Sequence, residues 1–161
     1  IKDIDILRQT LLTEKYAKEM RQLEVTYLYG ASGVGKTYGI FQRFPAGNIC
    51  RITSYRGSNG VNFDAYRCQD VLVFEEFAGQ IPIEDMLCYL DIYPLMLPAR
   101  YNDRVACFSK VFLTSNIPLE QQYEGVRKNR PETWRAFVRR IHNIIEYLPD
   151  GTTLVHKGGP I

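Results

Sequence analysis

With 161 residues, 45% hydrophobic and 24% charged, the chain has room for one globular domain with a real core and not for two comfortable ones. No apolar run approaches the roughly 20 residues of a membrane span and no signal peptide opens the chain, which excludes a membrane partner and points to an intracellular protein. The formal net charge is only +2, but it is unevenly spread: residues 63–92 hold seven acids against one base, and residues 98–143 hold nine Lys or Arg against four acids. Such asymmetry fits a polyanion facing the second half, and equally a solvated basic face. The first residue is Ile1, so a piece of a longer protein is expected. Cys50, Cys68, Cys88 and Cys107 are widely spaced with no C-x-x-C pair, the pattern of reduced thiols in the cytosol or nucleus. His142 and His156 have no partner at metal-ligand spacing.

In chain order, Ile4, Leu7, Leu11, Tyr16, Met20 and Leu23 recur near helical spacing and predict an amphipathic helix. Val25 to Tyr29 is β-branched and aromatic, a buried strand, and Thr37 to Phe44 is a proline-free helix. Asn48 to Thr53 reads as a second strand, Tyr55 to Gly60 as an exposed turn, and Asp70 to Phe74 as a third strand. Pro82 to Asp91 reads as a helix with proline in its first turn. Leu95–Pro98 and Val105–Phe108 form a hairpin with a basic, aromatic tip. A fourth core strand, Val111 to Thr114, runs into Ser115-Asn116. Residues 118–131 look polar and mobile, a helix covers Glu132 to about Ile141, Ile144–Leu148 is a last strand, and Gly151–Ile161 looks like a frayed tail. Strands alternating with helices imply an α/β fold with a mainly parallel sheet.

Between the first strand and its helix lies Gly30-Ala31-Ser32-Gly33-Val34-Gly35-Lys36-Thr37, which fits G-x-x-x-x-G-K-[ST], the phosphate-cradling P-loop. Glycines let the backbone turn tightly, so that amide N–H groups form an anion nest. Lys36 would reach the β- and γ-phosphates of ATP, and the Thr37 hydroxyl would hold Mg²⁺. Opposite such a loop an enzyme needs acids, and the third strand ends in Glu75-Glu76: one carboxylate to orient Mg²⁺, the next to polarise the attacking water. Asn116 closes the next core strand at the same sheet edge, where a neutral amide can bond both γ-phosphate and water, although asparagine there is also a common turn former. Arg139 and Arg140 lie late on a helix. An arginine reaching a γ-phosphate is worth roughly 10³–10⁵ in rate, while either one taken singly also fits a solvated face or an ion pair. Arg100, Tyr101, Arg104 and Lys110 lie on or beside the hairpin, where charges would track the phosphates of single-stranded DNA and the ring would stack a base.

Taken together, these residues resemble a superfamily 3 helicase, the ATPase domain of rolling-circle replication initiators (Rep) of circovirus-like single-stranded DNA viruses and related bacterial plasmids. Four motifs match in order: Gly30–Thr37 as Walker A, Val71–Glu76 as Walker B, the hairpin around Arg100–Lys110 as motif B′, and Leu113-Thr114-Ser115-Asn116 as motif C. The resemblance covers residues 24–148, leaving 1–23 as a helical linker or oligomerisation segment and 149–161 as a tail. It implies an AAA+-like three-layer fold assembled as a ring, usually a hexamer, with ATP between subunits. Glu75 would coordinate the metal, Glu76 activate water, Asn116 sense the γ-phosphate, and Arg139 or Arg140 act in trans. The hairpin would line the pore of a 3′→5′ DNA helicase, in bacterial cytoplasm if plasmid-borne or a host nucleus if viral. With histidines only at 142 and 156, the N-terminal endonuclease usual in Rep lies outside this chain. Two other classes compete. A P-loop small-molecule kinase would work as a monomer without DNA, and a DNA-binding or assembly module would hydrolyse nothing.

Overall fold

The computed structural model describes residues 2–55 and 61–158, so most of the expected turn at 55–60 lies outside the described residues. Its centre is a sheet in the order β2-β3-β6-β1-β7-β8, built from β1 (Glu24–Tyr29), β2 (Ile49–Ile52), β3 (Val71–Phe74), β6 (Lys110–Ser115), β7 (Asn143–Tyr147) and β8 (Thr153–Lys157). All neighbours are parallel except β8, which runs antiparallel on β7. Near-continuous apolar runs such as Val71–Phe74 belong in such a sheet because both of its faces are covered. On one face Leu28, Val73, Phe112 and Ile145 pack with Ile40 of α2 (Lys36–Arg43). On the other, Tyr27, Phe74, Val111 and Leu113 pack with Met86 of α3 (Ile83–Tyr89) and Phe137 of α5 (Pro131–Arg139). The result is three layers, as expected.

The hairpin forms as read, though its strands are short: β4 (Met96–Leu97) pairs antiparallel with β5 (Arg104–Val105). Register puts the carboxyl ends of β1, β3 and β6 together, with Tyr29 opposite Ser115 and Phe74 opposite Leu113. Loops leaving these strands therefore share one edge, where open α/β sheets bind ligands.

Three expectations are corrected. The segment 118–131 is ordered: a 3₁₀ turn at Leu119–Gln121 buries Leu119, and α4 (Glu124–Asn129) follows it. The tail is a strand through residue 157, because β8 hydrogen-bonds along β7 although all five of its side chains are exposed. The N-terminal helix α1 (Lys2–Tyr16) stops before Met20 and Leu23, and Ile4, Leu7 and Leu11 are 69%, 59% and 57% exposed. Its contact with the core runs through Tyr16 of the expected stripe and through Leu12 outside it. Among the described residues no helix is long and apolar enough to cross a membrane.

Candidate functional site

The glycine-rich loop leaves β1 with its first amide tied down, since Gly30 N–H donates to the Ser115 carbonyl at 3.1 Å. Gly30 has φ +154°, and a Cβ there would lie 2.5 Å from the Tyr147 carbonyl oxygen, so only glycine fits. Gly35, at φ +95°, turns the chain into α2. Lys36 is 9% exposed, and its Nζ donates to the carbonyls of Gly30 at 2.7 Å and Ala31 at 2.8 Å. Burial pulls its pKa down, opposed by the carboxylates of Glu75 and Glu76.

β3 delivers Glu75 to the same place. Its Oε1 accepts from Thr37 Oγ1 at 2.6 Å and lies 3.4 Å from Thr114 Oγ1, while its Oε2 pairs with Arg51 of β2 at 3.3 Å. Tyr55 donates its hydroxyl to the Glu75 carbonyl at 2.6 Å. The next residue, Glu76, is exposed and sits at φ +48°, a conformation that costs about 1–3 kcal/mol in a non-glycine and concentrates at functional sites. Its amide faces Thr114 Oγ1 at 3.2 Å. Asn116, exposed, follows the last residue of β6.

Ser32, Gly33, Gly35, Lys36, Thr37, Tyr38, Glu75, Glu76, Thr114, Ser115 and Asn116 line one cavity of about 330 Å³. Its lining brings together a lysine, loop backbone, two glutamates and a side-chain amide. Such a cavity can cradle an oxyanion. Among the described residues no three His, Cys, Asp or Glu side chains cluster to hold a metal by themselves. One carboxylate beside a threonine hydroxyl suits Mg²⁺, which takes few protein ligands and completes its shell with water and substrate phosphate. Gly30, Ala31 and Val34 shape the loop without lining this cavity.

The remaining expected residues lie elsewhere. Arg140 is anchored, with Nη1 donating to the Ala136 carbonyl at 2.9 Å and Nη2 pairing with Asp91 at 3.3 Å; Arg139 beside it is exposed. Neither lines the cavity. At the hairpin tip Tyr101 is 91% exposed, with the Arg100 guanidinium 5.6 Å from its ring centre. Arg104 belongs to β5 and donates to the Asp64 carbonyl at 3.3 Å, and Lys110 opens β6 beyond the hairpin.

No family model matches the chain. It is 30% identical over 135 residues to the replication-associated protein of goose circovirus, a stretch covering 80% of this chain and 40% of that relative. It is 30% identical over 116 residues to that of beak and feather disease virus, covering 72% and 37%. This chain is related to viral replication-associated proteins. The replication-associated protein of human associated cyclovirus 1 is 27% identical over 135 residues. The matches to the first two replication-associated proteins span no more than 40% of their length, and the whole protein is longer than this stretch in both.

Sequence reasoning missed four residues, three that support the cavity's walls from behind and one at the hairpin. Arg51 and Tyr55 hold Glu75 from the side chain and the backbone. Gln122, 1% exposed, lies under Ser115, and Arg21, 2% exposed, lies at the root of the hairpin. None carries a sequence signal, because each is defined by what folds around it.

Proposed function

We propose that this chain is the ATP-hydrolysing, DNA-translocating domain of a replication initiator protein, a superfamily 3 helicase of the P-loop, AAA+-like type. The observation that carries the reading is the single cavity in which Lys36 and Thr37, the Glu75–Glu76 pair and Asn116 meet. The relatives named for replication support it, as does the order of the motifs along the chain.

ATP phosphates lie on the amides of residues 30–37, and the Lys36 ammonium neutralises the β- and γ-phosphates. Thr37 Oγ1 and Glu75 would hold Mg²⁺, which would screen charge on the transferring phosphoryl group. Before that, Glu75 must give up its bond to Thr37, while its Oε2 stays paired with Arg51 at 3.3 Å. Glu76 takes the proton of the attacking water, and Asn116 orients that water against the γ-phosphate. Arg139 is supplied to the neighbouring copy of a ring, usually a hexamer. Arg100, Tyr101, Arg104 and Lys110 track one DNA strand, the first two from the hairpin tip.

ATP turnover, measured with and without single-stranded DNA, tests the reading. Wild type should hydrolyse ATP faster with DNA, and Lys36→Ala should abolish turnover while leaving the circular dichroism spectrum unchanged. Equal turnover by a folded Lys36→Ala protein would overturn it.

A further inference from the structure

Two of the four cysteines, far apart in sequence, meet in the fold. Cys68, in the loop before β3, and Cys107, between β5 and β6, belong to one core cluster, and both are free and 3% exposed. Their surroundings interlock. Thr13 Oγ1 of α1 lies 3.2 Å from Cys68 Sγ, and the same hydroxyl is a hydrogen-bond partner of the Cys107 thiol. The Tyr66 hydroxyl, two residues before Cys68, accepts from the Cys107 amide at 3.0 Å, and Cys107 Sγ lies 3.5 Å from the Val105 carbonyl. We propose that Cys68 and Cys107 form a redox-active dithiol, closed to a disulfide by a small hydroperoxide and reopened by thiols. No residue lining the phosphate cavity takes part.

The two thiols are not equivalent. Cys107, as a hydrogen-bond donor, does most to pull the Cys68 thiol below its ordinary pKa; burial opposes it, and Thr13, Arg8 and Arg104 add to the lowering. The same contact, together with burial, pushes Cys107 up, so that it keeps its proton. Cys68 therefore supplies the thiolate, which is the nucleophilic form. Access divides them in the same way. A cavity of about 140 Å³ between α1 and β5 is lined by Gln9, Thr13, Cys68, Arg104 and Val105, and Cys107 is not among its walls. About 10–15 Å³ of such space already admits a water molecule, so hydrogen peroxide fits beside Cys68. Cys50, in contrast, is buried with its thiol pushed up to about 11, and Cys88 lies exposed on α3.

The chemistry takes two steps. First, the Cys68 thiolate attacks one oxygen of hydrogen peroxide. An S–O bond forms, the O–O bond breaks, and the departing hydroxide takes a proton from solvent to leave as water, with Cys68 now a sulfenic acid. Second, the Cys107 sulfur attacks the Cys68 sulfur. The S–S bond forms, the S–O bond breaks, and hydroxide leaves with the Cys107 proton as a second water. Two electrons have then passed from the thiols to one peroxide. The link ties the loop that fastens the hairpin through Asp64 to the hairpin's own exit at Cys107. Intracellular disulfides are mostly of this transient, redox-sensing kind.

The test treats the reduced full chain with hydrogen peroxide, blocks the remaining thiols with N-ethylmaleimide and maps the peptides by mass spectrometry. Wild type should lose two of its four thiols and yield two peptides joined through Cys68 and Cys107, which dithiothreitol separates. Cys107→Ser should stop at the sulfenic acid, trapped on Cys68 by dimedone, and Cys68→Ser should leave Cys107 unoxidised. The wild-type map needs no variant to fold. A chain that keeps all four thiols under conditions that oxidise N-acetylcysteine, or a link made through Cys50 or Cys88, would overturn the assignment. Dimedone on Cys107 in Cys68→Ser would overturn the order of attack.

Discussion

Gln122 is 1% exposed, and its Nε2 lies 2.8 Å from the Phe77 carbonyl, 2.9 Å from the Tyr27 hydroxyl and 3.1 Å from Ser115 Oγ. It therefore bridges β1, the turn after Glu76 and the end of β6 just before Asn116. Replacing it by leucine fills the space but takes away the donor shared by three groups; the Phe77 carbonyl and Ser115 Oγ keep a second donor each, and the Tyr27 hydroxyl oxygen does not, at a cost of about 1–3 kcal/mol. At roughly 2–4 °C per kcal/mol for a chain of this size, Gln122→Leu should lower the melting temperature by several degrees. It should also slow turnover, because Glu76 and Asn116 lose a shared support. An unchanged melting temperature would deny the amide this role. The contrast with Lys36 explains what a sequence can carry. A lysine in a glycine-rich loop stands out in a sequence because the phosphate chemistry proposed for it would dictate both the residue and its neighbours. A glutamine in a polar stretch is legible only once two strands and a turn have assembled over it. Arg21 is the same case: it donates to the Asp91 carbonyl at 2.7 Å and the Phe108 carbonyl at 3.1 Å, clasping both roots of the hairpin, yet in sequence it is one more charge before β1.

At the scale of elements, the strands were read from their apolar runs and the misreadings have physical causes. The stripe Ile4, Leu7, Leu11 reports helical geometry correctly, but a period says nothing of what covers it. β8 holds on through backbone bonds to β7, which leave no burial pattern, and α4 buries no residue of its own. The hairpin was legible because turn-forming residues separate two apolar runs, but its fastening was not. Asp64, far away in sequence, accepts a hydrogen bond from the Arg100 amide, and Arg104 donates to its carbonyl. The Arg100 amide first, then the Asn62 side chain, hold the Asp64 carboxyl below its ordinary pKa. A carboxylate with a lowered folded pKa stabilises above its unfolded value and loses that contribution as pH falls through the folded one. The tip should thus be fastened at neutral pH and loosen below about pH 4, the ordinary carboxylate range. Amide exchange at Arg100, corrected for intrinsic rates, should speed up in acid in wild type. In Asp64→Asn, which keeps an acceptor oxygen but cannot titrate, that pH dependence should vanish; identical profiles would reject the clasp.

At the scale of the molecule, the cavity holds cradle, acids and amide from one chain, but no arginine from α5 lines it. Arg140 is committed to Asp91 and to the Ala136 carbonyl, whereas Arg139 is exposed at the end of α5. Of the two, Arg139 is free to serve a neighbouring copy without breaking an existing pair. Shared sites have a signature that single-chain sites lack. On the proposed function Glu76→Gln would remove the base and Arg139→Ala the finger, so each variant alone should lose roughly 10²-fold or more in turnover. Mixed in equal amounts, they create junctions in which an intact Glu76 faces an intact Arg139, and turnover should rise well above the sum of the two alone. The rate per subunit of wild type should also climb with protein concentration and with single-stranded DNA. A mixture no more active than its components, together with a concentration-independent wild-type rate, would mean that each chain hydrolyses ATP alone and that Arg139 acts on nothing beyond its own surface.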